Sequence, residues 1–564
     1  MRIRLRTILL CAVALGVVLR ILAAFQGEPD FDSSHDVAMA NTFASGNEFL
    51  LPYGSFYQTR ADPNGLTWIF EPVPSQHFAP MWPVLLATGY GIVGFSLAAT
   101  MASSLIVSVL AISIAFLITR DLMGSEKAWV VAAAVSLDFL LIQMTAVARS
   151  ENLLVITYMA TIWAILRGLK DDRYMVLAGL LAGVSYLTKS SVGYLFLLAG
   201  SLGFLWRFYY MRSGVFRNRY YLAAIALFLT VVGAWGLRNI LAFGWPHWET
   251  SPYANAALAY AVARPLEFFP LMGVKAVLYL LYCATVAFFF APQIIRATRH
   301  WKDEDANAHL LAIGLPILFG IIFAAAFAIV EPWEPLWWED NLRYVNIAIV
   351  PMLWFALRRE RLPLEWQPRL GRPVVPQLLR SLWKSLPVRI PLLLAAAFAF
   401  FAIDHMVGIV LAIGALILPK SPEIKPAAVV CFVLALGLAS VNSATSIHRS
   451  AEYNAGRFLA ELTEDGDVVA LAGSVNPYFL YPYLADRHVR FVQWNASESD
   501  FLLSTEPGNY SGYGLIAVFN GTRSPGFVDS AYNHLATAAL KTLGLPYRQG
   551  SPYAGDLFVY RPRL

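Results

Sequence analysis

Asp32 and Asp36 stand four residues apart in FDSSHDVAMANTFASG. On a helix that spacing puts both carboxylates on one face, with His35 beside them. Such a pair can take a proton from an acceptor hydroxyl or hold a divalent cation such as Mg or Mn. Asp32 equally suits a second role, as the N-cap of a helix running through SSHDVAMANTFA. Another carboxylate, Glu151, opens an apolar stretch in ARSENLL. It can join Asp32 as a metal ligand, or it can simply favour a helix N-terminus. Three cations have the character needed to meet a phosphate: Lys189 in TKSSVGY, Arg238 in WGLRNILAFG and Arg343 in WWEDNLRYVN. A guanidinium presents a planar fork to phosphate oxygens, although each Arg also reads as a boundary anchor and Lys189 as a snorkelling lysine. His35, His77 and Tyr344 are further candidates to line such a site or touch an acceptor.

The elements that must position these residues are membrane spans. Of 564 residues, 58% are hydrophobic and only 14% charged, where a soluble domain is about one quarter charged. Mean hydropathy is +0.56. A span needs about 20 mostly apolar residues to cross about 30 Å of hydrocarbon. Candidates fall near 7–25, 97–119, 128–146, 152–167, 174–188, 191–206, 221–237, 271–291, 308–330, 344–357, 390–403, 406–419 and 426–443. That gives an α-helical polytopic membrane protein of about 13 spans. MRIRLR and its apolar run read as an uncleaved first span, because no clear small-residue cleavage site follows. Cys11, Cys283 and Cys431 all lie in apolar runs, which argues against disulfides and offers no metal-type cysteine spacing.

Lys and Arg placement orients the spans. MRIRLR, 207–221, 296–302 and 358–389 are basic and fall on one side, read as cytoplasmic. The opposite side receives the loop 26–80, with Glu28, Asp30, Asp32, Asp36, Glu48, Asp62 and Glu71 against a single Arg60. This large external loop is rich in Trp, Tyr, Phe and Pro, and with PMWPVLLATGYGIVGF it suggests interfacial helices. Glu151, Lys189, Arg238 and Arg343 all arrive on that same external side. Asp138 and Asp404, in or near spans, read as satisfied polar contacts.

The membrane module is therefore 1–445, and 446–564 has a different composition. GDVVALAG, HVRFVQW, YGLIAVFN and GDLFVYRPR read as strands, with helices around AEYNAGRFLAELTE and FVDSAYNHLATAALKTLG. Alternating strands and helices imply a small α/β extracytoplasmic domain. GDVVALAGSVNPYF lacks a full GxGxxG, so no nucleotide site is assigned, and no internal repeat of the transporter kind is evident. No nucleic-acid partner is expected.

The first-loop segment resembles a motif of the GT-C glycosyltransferases, in particular the protein O-mannosyltransferase and lipid A aminoarabinose transferase group. Asp32, Ala40 and Gly46 match its acid, alanine and glycine. HFAPMWPVLLA, ARSENLLVITYMATIWAILRG, VLAGLLAGVSYLTKSSVGYLFLLAG, AWGLRNILAFG and NLRYVNIAIVP match further segments in order, so the likeness covers most of residues 1–350. The resemblance implies Asp32 as the essential carboxylate, Glu151 as the second-loop acid and Lys189 as the lysine after a small-residue span. It further implies transfer of a sugar from a polyprenyl-phosphate donor to a glycan, lipid or protein acceptor. That reaction would lie outside a bacterial or archaeal plasma (inner) membrane, among membrane lipids. Asp36 stands where relatives often carry Tyr, and their adjacent Asp-Glu pair is missing. The base is thus divided between Asp32 and Asp36, and metal dependence is open. A transporter or flippase of lipid-linked saccharides, or a non-catalytic scaffold, are the alternatives. Charges gathered at one rim rather than inside the spans favour the enzyme.

Overall fold

The computed structural model describes residues 3–47, 50–52, 73–74, 79–189, 218–243, 262–270, 349–358, 365–366, 405–417, 426–445, 449–473, 475–494, 499–520, 541–544 and 556–563, with a few single or paired residues besides. His77, Asp404, Arg343 and Tyr344 lie outside the described residues, as do the expected spans 191–206, 271–291 and 308–330.

A two-residue strand β1 (Ile3–Arg4) leads into helix α1 (Leu5–Gln26). The first loop contributes α2 (Phe31–Ala44), the strands β2 (Leu50–Leu51) and β3 (Val73–Pro74), which pair antiparallel, and α3 (Met81–Val93). Then come α4 (Leu97–Met123), α5 (Ser125–Ser136), α6 (Phe139–Ala146), α7 (Glu151–Gly168), α8 (Arg173–Thr188) and α9 (Arg219–Phe243). Helix α10 (Ile349–Leu357), strand β4 (Glu365–Trp366, paired with β1), α11 (His405–Ile417) and α12 (Pro426–Thr445) complete this part. Among the described residues four helices are long and apolar enough to cross a membrane, or five if α5 and α6 form one bent span. The inward faces of α1, α5, α7, α10 and α12 supply a common core that includes Leu9, Val131, Leu154, Leu353 and Phe432. Leu10, Val18, Phe25, Leu110 and Leu229 point outward, as side chains solvated by lipid do.

The stretch expected as one span at 128–146 is two helices meeting at 49°. The break is chemically covered. Arg20, wholly buried in α1, donates from Nη2 to Val135 O at 2.6 Å, from Nη1 to Ser136 O, and from Nε to Ser108 Oγ at 2.6 Å. A guanidinium there satisfies the loose carbonyls at the carboxyl end of α5 and meets its negative dipole end. Ser440 of α12 donates to Leu137 O, and Asp138 caps α6 by accepting from Leu141 N at 3.1 Å. Asp138 is thus the satisfied polar contact expected of it.

Helix directions separate two ends of the bundle. Ser108 approaches Asn152, and Asp121 accepts from Trp163 Nε1 at 2.7 Å and pairs with Arg167, so α4 and α7 run parallel. Glycines of α8 let α9 lie alongside: a Cβ at Gly179 would overlap Ala224 O, and one at Gly183 would meet Val231. With Asn218 donating to Asp172 at 2.6 Å, these contacts make α8 and α9 parallel as well. Lys189 and Arg238 therefore belong to one end. Asp121, Arg167, Asp172 and Arg219 belong to the other.

The remainder forms α13 (Ala451–Leu462), β5 (Val468–Ala472), α14 (Pro477–Leu484), β6 (Arg490–Gln493), β7 (Phe501–Ser504), β8 (Tyr513–Phe519) and β9 (Leu557–Pro562). The sheet order is β6-β5-β7-β9-β8, with β5, β6 and β7 parallel and β9 antiparallel to both neighbours. The four strands expected from sequence are present, and β7 is inserted at the centre. Its core is not self-contained: Ala38 and Met39 of α2 pack with Ala455, Leu459, Leu480, Phe491 and Val559. The first loop and the sheet region share one hydrophobic interior.

Candidate active site

Helix α2 begins two residues earlier than a cap at Asp32 requires. Asp30 is the N-cap: its Oδ1 accepts from Ser33 N at 3.1 Å, and Ser33 Oγ accepts from Asp30 N at 2.8 Å. That reciprocal box corrects the reading of Asp32 as the cap. It leaves Asp32 in the first helical turn with its carboxylate available for other contacts. Asp36 follows one turn on, as the i, i+4 spacing requires.

The facing wall is the short connection 147–150 between α6 and α7. Ala148 there has φ +53°, a left-handed conformation that costs a non-glycine residue about 1 kcal/mol or more. It is held from several sides. Trp82 Nε1 donates to Ala148 O at 2.9 Å, and Ser33 Oγ reaches Val147 O. Gly27 packs so closely that a Cβ would come within 1.9 Å of Ala146 O. The turn aims Arg149 at α2. Its Nε bonds Asp30 Oδ2, and its Nη1 lies 3.0 Å from Asp32 Oδ2. Arg149 thus bridges two carboxylates.

Beside it, Glu151 opens α7 and is buried; Lys189, at the carboxyl end of the antiparallel α8, donates to Glu151 Oε1. Asp36 sits among these groups. Burial first, then the negative charge of Asp32, push its carboxyl well above the usual range, with Lys189 opposing and Glu151 and Asp30 adding to the rise. Burial likewise pushes Asp30 up, against the pull of Arg149. Asp32 alone among these carboxylates keeps substantial surface, with 29% of its side chain exposed against 8% for Asp30 and 2% for Glu151.

Asp32, Asp36, Glu151 and Lys189 are thus brought together, and Asp30 and Arg149 join them. Arg238 lies at the same end of the bundle, with its guanidinium 4.9 Å from the Trp235 ring centroid and Nη1 donating to Asn239 Oδ1 at 3.0 Å. His35 is fully buried and stacks on Tyr478, ring centroids 3.7 Å apart. Arg149 escaped the sequence reading because VARS looked like a polar lead-in to Glu151. The available signal was a cation just before a helix N-terminus, where its charge is unfavourable unless acids face it.

The pair Asp32 and Glu151 does not suit a divalent cation in this arrangement. A hard cation needs carboxylate oxygens at about 2.0–2.6 Å, and one oxygen of each acid, Asp32 Oδ2 and Glu151 Oε1, already faces a guanidinium or an ammonium of the chain itself. Among the described residues no group of three or more His, Cys, Asp or Glu converges as metal ligands do.

The fold is similar to that of a solved membrane-protein structure, ArnT. The apo structure of ArnT from Cupriavidus metallidurans matches over 98% of this chain and 97% of that one, with TM-score 0.52 and 14% identity. The same enzyme bound to undecaprenyl phosphate matches with TM-score 0.49 and 14% identity over the same shares. An oligosaccharyltransferase from Archaeoglobus fulgidus matches with TM-score 0.48 and 13% identity, over 88% of this chain and 67% of that one. By sequence, residues 76–235 match the family model described as dolichyl-phosphate-mannose-protein mannosyltransferase. No curated protein matches the chain. The expected resemblance to GT-C glycosyltransferases of the protein mannosyltransferase kind is borne out.

Proposed function

We propose that the protein is an integral membrane glycosyltransferase that moves a sugar from a polyprenyl-phosphate donor to an acceptor hydroxyl with inversion. The observation that carries this reading is the convergence of Asp30, Asp32, Asp36, Arg149, Glu151 and Lys189 from three separate segments onto one end of an apolar bundle. The family match over 76–235, with its dolichyl-phosphate-linked sugar, supports the donor class.

In this mechanism the acceptor oxygen gives its proton to Asp32, the exposed carboxylate, as it bonds to the anomeric carbon. The bond from that carbon to the phosphate oxygen breaks on the opposite face. Charge grows on the departing phosphate, and preorganised cations in a site of low dielectric stabilise it. Lys189 and Arg238, at the same end of the bundle, are placed for that role, with Arg343 a further candidate. Asp36 and Glu151 set the field around the base. The reaction belongs on the extracytoplasmic face, with residues 1–445 as the catalytic module and 446–564 as an external domain beside the acceptor.

The test is release of polyprenyl phosphate from a labelled lipid-linked sugar by the purified protein in lipid vesicles. Release by the wild type and none by Asp32→Asn, with folding intact, is the expected result. Translocation of the labelled lipid without release would replace this reading with that of a flippase.

A further inference from the structure

We infer that Arg149 occupies the place of a catalytic cation in this site, so that sugar transfer proceeds without a divalent metal and removal of Arg149 creates a metal site. Its guanidinium spans two carboxylates, with Nε on Asp30 Oδ2 and Nη1 3.0 Å from Asp32 Oδ2. Bridging two carboxylates is what a hard dication does between such residues. A guanidinium does it with a permanent charge. The second acid expected to ligate a metal, Glu151, is turned to Lys189 instead.

The backbone is built to hold Arg149 there. Ala148, directly before it, keeps its left-handed φ of +53° under the Trp82 hydrogen bond and the Ser33 contact at Val147. Strain of this kind persists where surrounding structure over-determines it. Arg149 is buried, so its charge is fixed in place and not borrowed from a mobile surface side chain. Among the described residues four acids, Asp30, Asp32, Asp36 and Glu151, gather with two cations, Arg149 and Lys189. Deleting the guanidinium removes the charge that spans Asp30 and Asp32 and leaves the two carboxylates adjacent, an arrangement that favours a dication from solution.

This inference rests on the proposed glycosyl transfer only for its activity arm; the binding arm stands without it. Mn2+ binding to the full-length protein in detergent is read by electron paramagnetic resonance. The wild type is expected to leave millimolar Mn2+ free, whereas Arg149→Ala and Arg149→Gln each bind one equivalent, lost again when Asp32→Asn is added. In the transfer assay the wild type is expected to keep its rate in excess EDTA. Arg149→Ala is expected to fall at least tenfold and to recover several-fold with Mn2+ or Mg2+. One equivalent of Mn2+ on the wild type, removed by Asp32→Asn, would overturn the inference, as would an EDTA-sensitive wild-type rate restored by Mg2+. Failure of both folded Arg149 variants to bind Mn2+ would overturn it equally.

Discussion

The imidazole of His35 lies against the phenol ring of Tyr478, with centroids 3.7 Å apart and planes inclined by 27°. One ring belongs to the helix that carries Asp32 and Asp36, the other to a helix of the sheet region more than four hundred residues later. Asn41 Nδ2 adds a bond to Tyr481 OH at 2.9 Å. The acid-bearing helix is therefore clamped by α14, and its position depends on the carboxyl-terminal fold. Tyr478→Ala removes a fully buried ring, and truncations of that kind cost about 3–5 kcal/mol. Tyr481→Phe removes one hydrogen bond, worth about 1 kcal/mol. Thermal unfolding in detergent should rank the two variants in that order, with transfer activity falling alongside stability in Tyr478→Ala.

Glu28 links the same two regions through polar contacts. Its Oε1 accepts from Ser450 N at 2.8 Å, and its Oε2 accepts from Tyr483 OH at 3.3 Å. Burial raises its pKa from 4.5 to about 7, with neighbouring Glu452 adding to the rise and the hydrogen bonds from Ser450 and Tyr483 opposing it. The folded form thus keeps a proton that the unfolded chain has released. Across the interval from about 4.5 to about 7 the native state binds more protons, so this group's contribution to stability falls as pH rises and levels off above it. Unfolding midpoints taken from pH 5 to pH 8 should decline through that window. Glu28→Gln, which keeps an acceptor oxygen without the charge, should flatten the decline.

Much of this arrangement was legible in residue types and spacing, and the parts that were not share a cause. Asp32 and Asp36 share a face because 3.6 residues make a turn, and Glu151 and Lys189 declared themselves as charges at the ends of apolar runs. Asp30 was overshadowed by Asp32, although the pair Asp30 and Ser33 carries the spacing of a capping box. Strand β7, FLLS, is buried throughout, and a buried run that short shows no alternation to read. Helix α14, PYFLYPYL, has two prolines, and the useful sign was Asn476 as cap with Pro477 in the first turn. Arg149 and Arg20 were hidden because their partners are distant in the chain. Long-range partners leave no local period.

Arg20 supplies the sharpest stability prediction inside the bundle. With Arg20→Met the carbonyls of Val135 and Ser136 lose their donors where no water can replace them, and unsatisfied backbone groups in hydrocarbon cost several kcal/mol each. Arg20→Lys keeps a charge but cannot reach Ser108 and both carbonyls with one planar fork. The expected order of detergent-resistant folded protein is wild type, then Arg20→Lys, then Arg20→Met. Equal yields and equal melting points for the three would show that the 49° break between α5 and α6 is held by Ser440 and Asp138 alone.

Asp32 and Asp36 can be separated by what each amide replacement mimics. Asp36 is buried, and its carboxyl is held well above the ordinary range by that burial and by Asp32. Burial already disfavours the charged form at this position, so Asp36→Asn, which puts a neutral hydrogen-bonding group of the same size there, should leave the fold intact and the transfer rate within a few-fold of wild type. Asp32 is the exposed member, bound to Arg149. Its amide cannot take the acceptor proton and gives Arg149 a neutral neighbour. Loss of a general base typically costs about 100- to 10,000-fold, so Asp32→Asn should abolish transfer while the donor still binds. Single-turnover rates of the two variants, measured with binding of the lipid-linked sugar, decide the assignment. A large loss in Asp36→Asn with near-normal turnover in Asp32→Asn would move the base one helical turn inward.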